Sequence, residues 1–181
     1  MNAIILHGTG DTNEMYWFPY VKNVLEEKGY KVWLPQLPNA GKPNLKDWLS
    51  FVLKTGEFND STILIGHSAG SQLILSILEN IPVKIKLAIL VSGYAKPLRD
   101  TADAPENVKE FDWDKIKKKF QQIIFINSDN DPWGCNDKQG RIMLDNLGGL
   151  LVIPKGEDHM GSTSYNQQYK EFPLLIKLLN S

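Results

Sequence analysis

Ser68 sits in Ile63-Leu64-Ile65-Gly66-His67-Ser68-Ala69-Gly70, where an apolar run ends on a hydroxyl with glycine two positions to either side. A serine hydroxyl attacks a carbonyl usefully only when a base takes its proton during the attack. A sharp strand-to-helix turn would lift Ser68 clear of a sheet, and it brings strand and helix so close that glycines are needed at 66 and 70. The same residues also fit a small-residue turn in which Ser68 merely caps the following helix. The partners available elsewhere in the chain decide between the two.

A base working near neutral pH points to histidine, and the candidates are His7, His67 and His159. His67 adjoins the serine, so its side chain should point away from the hydroxyl. His7 belongs to the segment after the first apolar run and is expected to brace backbone. His159 is left, in a late segment free to lean over Ser68. A neutral imidazole needs one nitrogen held by a carboxylate so that the other faces the serine. Asp129 and Asp131 both stand between Ser68 and His159, and the order Ser…Asp…His suits a strand-turn-helix hydrolase. Asp131-Pro132 is equally a common turn, and Asp158 is too local to His159 to be the orienting choice. Developing negative charge on the substrate would be met by backbone N–H groups: Ala69, after the serine, and Thr9 in His7-Gly8-Thr9-Gly10. The chemistry implied is acyl transfer through an acyl-enzyme.

These residues must be brought to one place by the elements between them. Apolar runs predict strands at 2–6, 31–34, 62–65, 87–92, 123–127 and 150–153. Most are continuous rather than alternating, as in a parallel sheet covered on both faces. Helical spacing intervenes after Trp17, at 45–53 behind a possible Asn44 cap, over Leu73–Leu78, at 136–147 and after Pro173. The β-α alternation predicts one doubly wound α/β domain over 1–181. In such a sheet the strand carboxyl ends open on one edge, where ligands bind, and the reactive segments follow the first, third, fifth and sixth strands. The irregular stretch 94–112 lies past a strand end and is either a ligand-covering loop or a plain surface excursion.

The totals exclude several other classes. The 181 residues carry a net charge of −1, with 42% hydrophobic and 23% charged residues, so no nucleic-acid partner is expected. The Lys115–Lys119 cluster reads as the solvated side of a short helix buried through Trp113, Ile116 and Phe120. No signal peptide or membrane-length run is evident, and a cytoplasmic setting is expected. One cysteine, Cys135, forbids an intrachain disulfide, and the histidine spacing offers no metal site, so neither metal nor cofactor is expected. Small residues at 8 and 10 could cradle phosphate, but the Gly-Lys-Ser/Thr of a phosphate loop is missing.

With the opening strand and Gly-rich loop, Trp17, Gly66-x-Ser68-x-Gly70, Asp131-Pro132 and His159, nearly the whole chain resembles the α/β-hydrolase superfamily. Within it, the chain is similar to small serine hydrolases related to retinoblastoma-binding protein 9. The resemblance implies six strands in the order 2-1-3-4-5-6 with little or no cap. It also implies Ser68 as nucleophile, Asp131 as orienting acid, His159 as base and the Thr9 and Ala69 N–H groups as oxyanion donors. A Leu-x-Cys-x-Glu motif is missing, so a retinoblastoma-protein partner is not carried over. Trp17, Tyr94, Trp133 and Met160 fall near the site, either lining a small acyl pocket or simply packing at the sheet edge. The expected partner is a small acyl substrate cleaved at an ester, thioester or amide. The alternatives are an acyltransferase with the same triad or a non-enzymatic binding protein on the same fold.

Overall fold

A computed structural model describes residues 1–98 and 110–179. Six strands, β1 (Asn2–Leu6), β2 (Lys31–Trp33), β3 (Ile63–His67), β4 (Ile85–Val91), β5 (Phe120–Ile126) and β6 (Leu150–Val152), form one sheet in the order β2-β1-β3-β4-β5-β6. Every adjacent pair is parallel. Six helices connect or follow them: α1 (Phe18–Glu27), α2 (Leu45–Thr55), α3 (Ala69–Asn80), α4 (Trp113–Lys117), α5 (Asp137–Leu147) and α6 (Pro173–Leu178). Of the 94–112 stretch, 99–109 lies outside the described residues.

The continuous apolar strands divide their side chains between two cores, one on each face of the sheet. Ile4, Leu6, Leu64, Leu90 and Phe125 meet Trp48 and Val52 of α2, Leu73 and Ile77 of α3, and Met143 of α5. Ala3, Ile5, Ile65, Ile89 and Ile126 face the other way, against Phe18 and Val21 of α1 and Leu175 of α6. Asn44 caps α2 by accepting from the Lys46 and Asp47 N–H groups, and Asn136 caps α5 through Lys138. β4 and β5 begin two and three residues earlier than hydropathy predicts. Exposed Lys86, Gln121 and Gln122 interrupt their apolar pattern, while Ile85 and Leu87 still pair with Phe120 and Gln122.

The register aligns the carboxyl ends. Leu6 pairs with Gly66, His67 with Val91, and Val91 with Ile126. His7, Ser68, Ser92 and Asn127 therefore follow side by side along one edge.

Candidate active site

The turn from β3 into α3 holds Ser68 at φ 53° and ψ −119°, a region that costs a non-glycine residue of order 1–3 kcal/mol. It is pinned by its N–H donating to Val91 O at 2.9 Å, while the Ser71 hydroxyl donates to Gly66 O at 2.8 Å. A Cβ on Gly66 would stand 2.6 Å from Gly70 O, and one on Gly70 would overlap the Leu6 carbonyl, so only glycine permits this approach. Ser68 makes no capping hydrogen bond to α3. Ser68 is half-buried where β3 ends at the sheet edge.

Beside it, His159 Nδ1 lies 2.6 Å from Asp131 Oδ2, with both residues buried. The Asp131 carboxylate also accepts from the Trp133 N–H at 2.8 Å. Burial lowers the His159 pKa, and the hydrogen bond to Asp131 opposes without reversing that shift. Asp129 points elsewhere and accepts from Gly156 N–H at 2.8 Å. Asp158, half-buried, accepts from Asn130 Nδ2, and Ser128 Oγ accepts from Glu157 N–H. Four consecutive side chains, Ser128 to Asp131, thus bind the segment 156–159 and seat His159.

The His159 carbonyl accepts from His67 Nε2 and Ser92 Oγ, each at 2.9 Å. The His67 ring lies 4.8 Å from that of His159. Its Nδ1 is 3.5 Å from Asp11 Oδ2, and the same oxygen accepts from Gly8 N–H at 3.0 Å. Burial raises the Asp11 carboxyl, but His67, the Gly8 N–H and His7 together outweigh it and the net shift is downward. His7 braces backbone as expected: Nδ1 donates to Gly8 O and Nε2 accepts from Leu37 N–H, both at 2.9 Å. A Cβ on Gly8 would stand 3.0 Å from Ser68 Cβ, so the Gly8-Thr9 turn lies against the serine. Ala69 opens α3, where the first N–H groups lack intrahelical partners; Thr9 is exposed at the turn.

Of the four residues expected around an acyl pocket, two belong to the core. Trp17 is fully buried, its indole N–H donating to Met160 O at 2.9 Å and its ring 5.5 Å from Phe172. Met160 is fully buried with it. Left-handed Tyr16 and Met160, at φ 50° and 52°, accompany the inward turn of these side chains. Tyr94 is nearly buried, while Trp133 is 36% exposed, its ring 6.5 Å from His159 and 5.3 Å from Tyr165. Asp11, Ser92, Tyr165 and Cys135 were not legible as site residues. Cys135 is buried, and burial pushes its thiol's pKa up. It brings a third ligand type beside Asp131 and His159, although no ligand spacing in the chain announces one.

Residues 3–181 match the serine hydrolase family model, and the chain belongs to that family. It is 33% identical over 131 residues to the putative hydrolase YdeN of Bacillus subtilis (strain 168), covering 70% of this chain and 69% of that one. It is 26% identical over 164 residues to Serine hydrolase RBBP9 of Rattus norvegicus, covering 89% and 87%. The crystal structure of the B. subtilis ydeN product superposes with a TM-score of 0.84 at 25% identity, covering 99% and 96%. Est1E from Butyrivibrio proteoclasticus shares the fold, with a TM-score of 0.63 at 17% identity over 99% of this chain and 88% of that one. The protein is an esterase-like α/β-hydrolase related to these small serine hydrolases. No helix among the described residues is long and apolar enough to cross a membrane.

Proposed function

We propose that the chain hydrolyses small carboxylic esters, or related thioesters and amides, through a Ser68-His159-Asp131 triad. The observation that carries this is the buried 2.6 Å Asp131–His159 pair on the same sheet edge as a backbone-strained Ser68. Asp131 holds the Nδ1–H tautomer, so the other ring nitrogen serves as acceptor. His159 takes the Ser68 proton as Oγ attacks the carbonyl carbon, and the tetrahedral oxyanion is held by the Thr9 and Ala69 N–H groups. The imidazolium then protonates the leaving alcohol, thiol or amine as the acyl-enzyme forms. Water, deprotonated by His159, attacks the acyl carbon and releases the acid and the free serine.

Tyr94 and Trp133 are the side chains proposed to flank the acyl group, a small and partly aromatic pocket. Short esters should therefore turn over better than long ones. A fluorophosphonate, read by intact mass, tests the triad, because such a reagent modifies only an activated serine. One adduct is expected on the wild type and none on Ser68→Ala or His159→Ala. Ester turnover should fall by roughly 10⁵–10⁶ in Ser68→Ala. A folded wild type that takes no adduct would overturn the triad.

A further inference from the structure

Cys135 is the only cysteine of the chain, and acyl transfer gives it no task. It stands between the Asp131 turn and α5, and Asn127 fixes it by donating from Nδ2 to the Cys135 carbonyl at 2.8 Å. One ligand atom each from Asp131, Cys135 and His159 lies within 4.8 Å of the other two, and all three residues are buried. Carboxylate, thiol and imidazole thus converge from the Asp131 turn, the lead-in to α5 and the loop after β6.

This donor set has a preferred guest. Sulfur and imidazole nitrogen favour zinc-like cations over magnesium or calcium, which prefer all-oxygen shells. A dication with one carboxylate, one thiolate and a neutral imidazole sums to zero charge, the combination a water-poor site tolerates. Tetrahedral zinc bonds of about 2.0–2.3 Å place ligand atoms roughly 3.3–3.8 Å apart. The Asp131–His159 contact would open, and the widest separation close, by about 1 Å to reach that spacing. Half-exposed Ser68, or a water in its place, would fill the fourth position.

We infer that Asp131, Cys135 and His159 form a site for one zinc-like divalent cation, and that its occupation switches the hydrolase off. The switching rests on the triad proposed above. The ion would take the base and its orienting carboxylate together, leaving nothing to accept the Ser68 proton. Binding replaces the thiol S–H bond by a sulfur–metal bond and releases that proton to water. The imidazole stays neutral as its proton passes from Nδ1 to Nε2 and frees Nδ1 for the ion. No electron is exchanged.

Cobalt(II) is the probe for the site. Because Cys135 is the only thiol, a near-ultraviolet thiolate-to-cobalt band on the full chain can arise from no other residue. The expected result is a band that saturates at one equivalent, is abolished by zinc or EDTA, and is lost in Cys135→Ser and His159→Ala. Zinc should also block the fluorophosphonate adduct on Ser68, reversibly with EDTA, and Cys135→Ser should need at least tenfold more zinc for the same block. A folded wild type without the band overturns the site. Equal zinc protection of wild type and Cys135→Ser overturns the switch, leaving His159 alone as the target. A wild type that shows the band but takes no fluorophosphonate supports the metal site while sinking the triad.

Discussion

His159 is held neutral by burial and kept oriented by Asp131, two influences that push its pKa in opposite directions. Burial wins, so the ring charges only below the ordinary histidine value of about 6.5. As the base of the proposed triad His159 must be unprotonated to act, and the acid limb of kcat/KM is therefore expected on the acid side of that value. A limb above it, in a profile measured from pH 4 to 9, would contradict the burial argument. Asp131→Asn should retain the fold and lose on the order of 10⁴ in kcat, because the amide can no longer hold the productive tautomer. Steady-state kinetics on a short p-nitrophenyl ester read this directly. Asp129→Asn serves as the comparison, since Asp129 braces Gly156 rather than His159. A loss in Asp129→Asn equal to that in Asp131→Asn would mean that loop bracing, and not tautomer control, sets the rate.

Three loops and one strand-helix turn meet at the site, and what joins them is buried hydrogen bonding to backbone. The His159 carbonyl receives His67 and Ser92, while Asp158 and Met160 on either side are left-handed at φ 47° and 52°. Ser92→Ala removes one of these two bonds, worth about 1 kcal/mol. It should lower kcat several-fold with KM almost unchanged, as expected of a residue that positions the base without touching substrate. A change confined to KM would refute that role. Gly70→Ala should be far worse for the fold, because its methyl would overlap the Leu6 carbonyl. An overpacking cost near ~3 kcal/mol corresponds to a Tm fall of roughly 6–12 °C, measurable by calorimetry. The Ser68 turn was legible because its glycines and serine are adjacent in sequence. Asp131 was harder to separate from Asp129: both follow β5, both accept hydrogen bonds in the loop, and only the return of the chain through 156–159 decides which meets the histidine. Cys135 and Ser92 were invisible for a related reason, since each meets His159 across 24 and 67 residues of sequence respectively.

At the scale of the whole molecule, the two-faced parallel sheet follows from continuous apolar strands alternating with amphipathic helices, whereas its strand order came from the family resemblance. The sequence pattern says less about which aromatic rings face a ligand and which fill the core. Trp17 shows why: its polar N–H is satisfied by Met160 O, so burial carries no unpaired donor, and its ring packs 4.7 Å from Phe18 and 5.5 Å from Phe172. Phe172, fully buried at the start of α6 and 5.1 Å from Tyr169, closes this cluster from the far end of the chain. The cluster therefore couples the C-terminal helix to the His159 loop through Trp17 and Met160. Phe172→Ala should leave a cavity beneath the indole and cost about 3–5 kcal/mol. That corresponds to a Tm lower by roughly 6–20 °C. The coupling adds a second expectation: kcat should fall at temperatures where the variant is still folded, because loss of the ring frees Trp17 to release Met160 O next to the base. Leu175→Ala, which trims an aliphatic side chain in the same core and leaves the aromatic cluster intact, supplies the control. Equal kcat losses in two variants of equal Tm would show that the cluster only stabilises the fold, whereas a loss specific to Phe172→Ala would place α6 among the elements that hold His159 in register.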